Sequence, residues 1–287
     1  MAKLTVEQLV QHYYKSSDYS MLAYKTKVDY SNCLDIMLNT KLNKHSICTT
    51  KVDKLTGAIA RQSYELWLKR GISMANHIVS SSRKVYSFGM EMGYVEYNPF
   101  STFKCKTNKP RKVVWTREQI KKLLDFCYSD FRYRSIGLIV QMSYEWCQRV
   151  GDMRLLKFES IDFNNGVLNL EQSKRGASVS LPISEDLFEM LQEQKRDYDF
   201  QEYVAPVPKA IRSSYNPYTL HRLSIVARQA IRLCGLPNEL RIADLRRTGT
   251  TEMVEAGVSM GQIMSVTGHA NPQSVKPYMK NTLDSAK

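Results

Sequence analysis

Apolar residues return at three- and four-residue intervals through most of this chain. Leu4, Val6, Leu9, Val10 and Tyr13 follow that rhythm, and so do Val28, Tyr30, Cys33, Leu34 and Met37. The spacing puts each set on one stripe of an α-helix, so helices dominate what the chain can become. Two more are predicted over 56–70 and 73–92, closed by Gly93 and followed by Asn98-Pro99. Residues 101–114, STFKCKTNKPRKVV, lose the periodicity and read as an extended basic linker around Pro110. After Trp115, Thr116 offers an N-cap with Gln119 three residues on, opening a helix to about Tyr128. Further helices are predicted over 134–146, 150–158, 185–198, 219–234, 244–256, 259–267 and 273–280. Alternation with period two occurs only in the runs 167–170 and 178–183, joined through Lys174-Arg175-Gly176, which predicts a β-hairpin. The expected class is mainly α with a small antiparallel sheet (α+β). Its expected parts are a helical domain over 1–100, a linker over 101–114 and a second domain over 115–287.

At 287 residues and 43% apolar, the chain can bury a core in each half. The longest apolar run, 136–142, is far shorter than a membrane crossing needs. Glu7 and Gln8 interrupt what an export signal would keep apolar, and the six cysteines are scattered without a CxxC pair or a histidine at ligand spacing. A cytoplasmic protein without disulfides, zinc or membrane contact is expected. The net charge of +13 is uneven: residues 1–114 hold 18 basic and 8 acidic side chains, the remainder 23 and 20. That N-terminal excess exceeds what solubility requires and points to a polyanion, nucleic acid ahead of an anionic membrane surface. Lys104, Lys106, Lys109, Arg111 and Lys112 would lie along phosphates; an ordinary surface loop is the plainer alternative.

Four stretches of the second half hold side chains suited to attack on a phosphodiester. QRVGDMRLLKFESID carries Arg149, whose planar fork matches two phosphate oxygens, although an ion pair to Asp152 would explain it too. EQSKRGASVSLPI sets Lys174 at the hairpin tip. ADLRRTGTTEMVEAGV puts Arg246 and Arg247 in the first turn of a helix, where positive charge opposes the macrodipole unless an anion compensates. TGHANPQSVKPY sets His269 just after a helix-ending Gly268, with Tyr278 nine residues later. Taken singly, each has a bland reading: a solvated lysine, a packed tyrosine with a bonded hydroxyl. His12, His45 and His77 lack such context, and His221 is left unassigned between phosphate contact and helix cap.

In this order and spacing the four stretches resemble the tyrosine recombinase family, the phage integrases most closely. Arg149 is similar to that family's first arginine, with an acidic residue three positions on, here Asp152. Lys174 matches its hairpin lysine, Arg246 its second arginine, His269 the histidine of its Gly-His pair and Tyr278 its nucleophile. Residues 1–100, with the ending GYVEYNP, resemble its core-binding domain and 115–287 its catalytic domain. One departure stands out: the family usually has a histidine three residues before the second arginine, where this chain has Ala243, a side chain that neither donates nor accepts.

The resemblance implies a site-specific recombinase that joins Tyr278 to a 3′ phosphate while Lys174 protonates the departing 5′ oxygen. Arg149, Arg246 and His269 would stabilise the charge gathering on the phosphate oxygens. No cofactor or metal is expected. The implied partners are double-stranded DNA attachment sites, three further copies in a tetramer, and accessory bending or directionality proteins, with action on phage or mobile-element DNA in a bacterial cytoplasm. Two other readings remain: a DNA-binding regulator that has lost catalysis, and a type IB topoisomerase-like enzyme.

Overall fold

The computed structural model describes residues 4–42, 45–109, 111–173, 176–209 and 214–278. Packing divides the chain into two units, Met1–Arg111 and Lys112–Lys287.

In the first unit, helices α1 (Val6–Tyr14), α2 (Ser17–Ser20) and α3 (Tyr24–Leu38) precede a two-residue ladder of β1 (Lys41–Leu42) and β2 (His45–Ser46), then α4 (Gly57–Trp67) and α5 (Ile72–Glu91). Thr5 and Gln8 form a reciprocal capping box that fixes the start of α1. The apolar stripes read from the sequence meet in one core, with Leu9, Tyr13, Leu34, Met37, Tyr64, Ile78, Val85 and Tyr86 all fully buried. The short ladder and α2 carried too few residues to show a period. The basic stretch after Phe100 is fastened along this unit. Asn76 donates to the Lys106 carbonyl at 2.8 Å, the Lys106 amide donates to the Tyr64 hydroxyl at 2.7 Å, and Arg61 lies 4.1 Å over the Phe103 ring.

The second unit contains α6 (Arg117–Ser129), α7 (Phe131–Glu145), α8 (Val150–Met153), β3 (Ile161–Asp162), β4 (Val167–Glu171), β5 (Ser178–Pro182), α9 (Glu185–Tyr198), α10 (Leu220–Leu233), α11 (Leu245–Glu255) and α12 (Met260–Thr267). Thr116 and Gln119 close the expected capping box. The three strands form one antiparallel sheet in the order β3-β4-β5, with Leu168 opposite Leu181 and both buried. Helix α7 is buried on every side from Tyr133 to Ser143, the centre against which α6, α9 and α11 pack. Trp115 pins the unit's entry, its amide donating to Thr248 Oγ1 and its indole to the Arg241 carbonyl, both at 3.1 Å.

Two expectations fail. The helix predicted over 150–158 stops after one turn, because the Phe158 amide donates to the Glu202 carbonyl and Val204 to Leu156, both at 2.9 Å. That distant segment captures the backbone and turns it into β3. The helix predicted over 273–280 is instead two 3-10 turns, Pro272–Ser274 and Lys276–Tyr278. Pro277 has no amide hydrogen to donate one turn back, so the α-pattern breaks there; 279 and 280 lie outside the described residues.

Candidate active site

The end of α7 aims the first arginine. Cys147 takes a left-handed conformation, φ 50°, which costs a non-glycine residue about 1 kcal/mol and reverses the chain. Gln148 thereby turns into the core, fully buried, and Arg149 becomes the N-cap residue of α8 with its side chain 29% exposed. Helix α11 crosses this turn closely: a Cβ at Gly249 would stand 2.5 Å from the Tyr144 carbonyl oxygen and 2.6 Å from Cys147 Sγ. Only glycine permits that approach, and it carries Arg246, one turn earlier, toward Arg149.

Arg246 is 8% exposed. Its Nη2 donates to the Thr267 carbonyl at 2.7 Å and to His269 Nε2 at 3.2 Å, while Nη1 is buried with no hydrogen-bond partner among the described residues. Burial, and then the like charge of Arg149, push its pKa down to about 10. Arg134 makes the contrast: 6% exposed in α7, it is paired to Glu193 at 2.9 Å and Asp197 at 2.5 Å. Among the described residues Arg246 has no such ion pair.

His269 follows the left-handed cap of α12, Gly268, φ 65°. The Thr267 hydroxyl donates to the Ile263 carbonyl at 2.6 Å, so in its 2.7 Å contact with His269 Nδ1 the proton is the histidine's. That assigns the Nδ1–H tautomer and leaves Nε2 as acceptor from Arg246. Tyr278 ends the second 3-10 turn, held by fully buried Val275, with its ring centroid 6.2 Å from that of His269. The Arg247 guanidinium lies 5.0 Å over the same ring.

Arg149, Arg246, His269 and Tyr278 are therefore brought together from four separate segments. Lys174 lies outside the described residues. Arg149 donates to Gln172 Oε1 at 3.0 Å, while Asp152 Oδ2 stands 3.8 Å away, so the ion pair weighed from sequence exists without a hydrogen bond. Ala243 is exposed on a 3-10 turn, lining a groove of about 260 Å³ with Val150, Leu220 and Ile231. His221 is exposed in the first turn of α10, whose N-cap is Thr219. Lys104, Lys106, Lys109 and Lys112 have exposed side chains, Lys106 3.5 Å from Glu65; Arg111 is half-buried. Gln148, Gln172, Ser173 and Thr267 were not singled out from sequence. Each stands within or beside a quoted stretch, but uncharged side chains carry no signal until their partners are known. Two guanidiniums, an imidazole and a phenol so arranged can receive one tetrahedral anion and present an oxygen nucleophile to it.

The model of a family described as "Phage integrase family" matches residues 114–284. A "Tyrosine recombinase" of Pseudothermotoga lettingae is 19% identical over 94% of this chain and 90% of its own length. "Tyrosine recombinase XerA" of Pyrococcus furiosus is 26% identical over 58% of this chain and 57% of its own length. Among solved structures, a lambda integrase dimer bound to a COC' core site superposes with a TM-score of 0.77 at 18% identity, covering 97% of this chain and 78% of that one. The Tn1549 transposon integrase in complex with a circular intermediate DNA gives 0.77 at 17% identity, covering 99% and 98%. At these identities the structural likeness speaks for the fold.

Proposed function

The chain belongs to the phage integrase family of tyrosine recombinases, and from that premise we propose that it cuts and rejoins DNA at specific sites through a covalent 3′-phosphotyrosyl intermediate. One observation carries the reading: Arg246 is buried beside Arg149 and makes no ion pair among the described residues, while the Asp152 carboxylate lies 3.8 Å from Arg149. One carboxylate against two guanidiniums leaves a positive charge uncompensated, and a scissile phosphate supplies its counter-ion.

In this reading Tyr278 Oη attacks phosphorus, and Arg149 and Arg246 stabilise the charge that gathers on the non-bridging oxygens, joined by His269 once Nε2 takes up a proton and becomes a donor. The bond to the 5′ oxygen breaks, and Lys174 gives that oxygen its proton. Ala243 offers no acceptor for the phenol proton, which leaves water, Lys174 or another group to take it. Because the phosphotyrosyl bond conserves the energy of the broken linkage, the 5′ hydroxyl of another strand reverses the step without a nucleotide cofactor. A solved relative is a lambda integrase tetramer bound to a Holliday junction; for this chain we propose the same assembly on paired attachment sites, acting on phage or mobile-element DNA with accessory proteins. The domain parts read from sequence, a core-binding domain over 1–100 and a catalytic domain over 115–287, belong to this proposal. So does the phosphate role of residues 104–112.

Ala243 favours one competitor, a DNA-binding regulator without catalysis. Supercoiled plasmids that carry or lack candidate attachment sites separate the readings: recombinants support the recombinase, relaxed circles a topoisomerase-like enzyme, and binding alone the regulator. Arg149→Lys is expected to slow adduct formation on a nicked suicide duplex by about 100-fold, because a point charge cannot reproduce bidentate geometry. For the basic stretch, four phosphate contacts contribute about −3.6 to the slope of log K against log salt. Changing Lys104, Lys106, Lys109 and Lys112 to Gln should flatten the measured slope by about that amount; an unchanged slope removes them from the interface.

A further inference from the structure

Two consecutive side chains at the exit of β4 reach into the candidate site. Gln172 is 1% exposed, and its amide is saturated: Nε2 donates to Gln148 Oε1 at 2.6 Å and to the Thr267 carbonyl at 2.8 Å, while Oε1 accepts from Arg149 Nη1 at 3.0 Å. Gln148 extends the tie, donating to the carbonyls of Trp146 at 2.8 Å and Val266 at 2.7 Å. Carbonyl acceptors on both amides leave no choice of orientation, since a flip would set oxygen against oxygen. A Cβ at Gly268 would stand 2.5 Å from Gln172 Nε2, so the amide lies directly against the turn that carries His269. Ser173, the next residue, donates through Oγ to Asp152 Oδ1, and the other oxygen of that buried carboxylate is the one facing Arg149.

These bonds span 23, 24, 95 and 118 residues of sequence. A core needing only stability at these positions would be satisfied by apolar side chains, whereas a buried amide demands every partner. What the amides add is relative position: the Arg149 guanidinium is tied to the same Thr267 carbonyl that Arg246 grips.

We propose that Gln172 and Ser173 are positioning residues that hold Arg149 in register with the turn bearing His269, Gln172 directly and Ser173 through Asp152. The inference rests on the strand-transfer reading above and adds to it the groups that align the phosphate donors before DNA arrives.

The test is single-turnover cleavage of a nicked suicide duplex at saturating protein, with duplex affinity and melting temperature measured in parallel. Gln172→Glu keeps the shape but loses both donors and draws Arg149 toward itself. At pH 8 it should cleave about 100-fold more slowly than the unchanged chain, at a duplex affinity within about twofold, the size of loss that misplacement by about 1 Å produces. At pH 5.5 the carboxyl, whose pKa is raised by burial and by the facing Gln148 and Thr267 oxygens and lowered by the Arg149 guanidinium, regains a proton and one donor in part, so the deficit should narrow to roughly tenfold. Ser173 is exposed and its variants should fold. Ser173→Ala should slow cleavage about fivefold, and Ser173→Thr, which keeps the hydroxyl, should return it to within about twofold. Should Gln172→Glu fail to fold, the Ser173 pair decides. Cleavage by Ser173→Ala equal to the unchanged chain, or a Gln172→Glu deficit identical at both pH values and matched by lost duplex affinity, overturns the proposal. No adduct from the unchanged chain overturns instead the strand-transfer reading beneath it.

Discussion

Tyr278→Phe is expected to abolish the covalent protein–DNA adduct on a nicked suicide duplex, by at least about 10⁴-fold, while leaving duplex binding nearly intact. The substitution removes one oxygen and nothing else. The ring stays under the Arg247 guanidinium at 5.0 Å and near His269, contacts that depend on the aromatic face. Val275, fully buried one turn earlier, keeps the segment seated. Melting temperature should therefore move by less than about 2 °C. An adduct that survives would assign the nucleophile elsewhere and remove Tyr278 from the mechanism.

Arg246→Met is expected to eliminate cleavage and yet make the free protein at least as stable. Arg246 is charged at neutral pH in a buried position next to Arg149, with one terminal nitrogen unpartnered among the described residues. Its folded-state pKa, about 10, lies below the ordinary guanidinium value. Below pH 10 the group is protonated in both folded and unfolded chains, so the whole cost of burying the charge is present at neutral pH. That cost is relieved only as pH rises through about 10, where the folded protein releases a proton the unfolded chain still holds. Methionine fills similar space without charge, and the Thr267 carbonyl keeps its bond from Gln172. A gain of 0 to about 2 kcal/mol is expected in denaturant unfolding. Cleavage should fall about 1000-fold or more, as when a preorganised donor is withdrawn from a developing oxyanion. Duplex binding should raise the melting temperature of the unchanged chain more than that of the variant. A variant that is less stable by several kcal/mol, or that still cleaves, would show that Arg246 serves the fold and not the phosphate.

Such opposed effects on stability and activity mark a site maintained against its folding cost. Cys147 belongs to the same account: its left-handed φ is unfavourable in itself, and its yield is the direction in which Arg149 leaves the chain.

Local order was legible wherever a signal lay within a few residues. The Thr116–Gln119 capping box, the helical stripe of α5 and the alternation of β4 and β5 each follow from neighbours in sequence. Where a distant segment intervened, the local reading failed. The 150–158 stretch has helical spacing, yet Glu202 and Val204 claim its backbone. Pro277 was visible in the sequence and still outweighed by the apolar rhythm around it.

By itself, the sequence determined the helical character of both units, the short hairpin and the order of four charged or aromatic side chains along the chain. Those depend on periodicity, turn chemistry and residue type, all written within a few positions of one another. Only the tertiary structure decided which groups meet: that Arg246 lies beside Arg149 without an ion pair among the described residues, that His269 is held in one tautomer by Thr267, and that Gln172 and Gln148 tie segments 95 and 118 residues apart. Neutral amides and backbone carbonyls leave no mark on charge or hydropathy, and their hydrogen bonds come into being only when packing removes water and brings remote partners within 3 Å of one another.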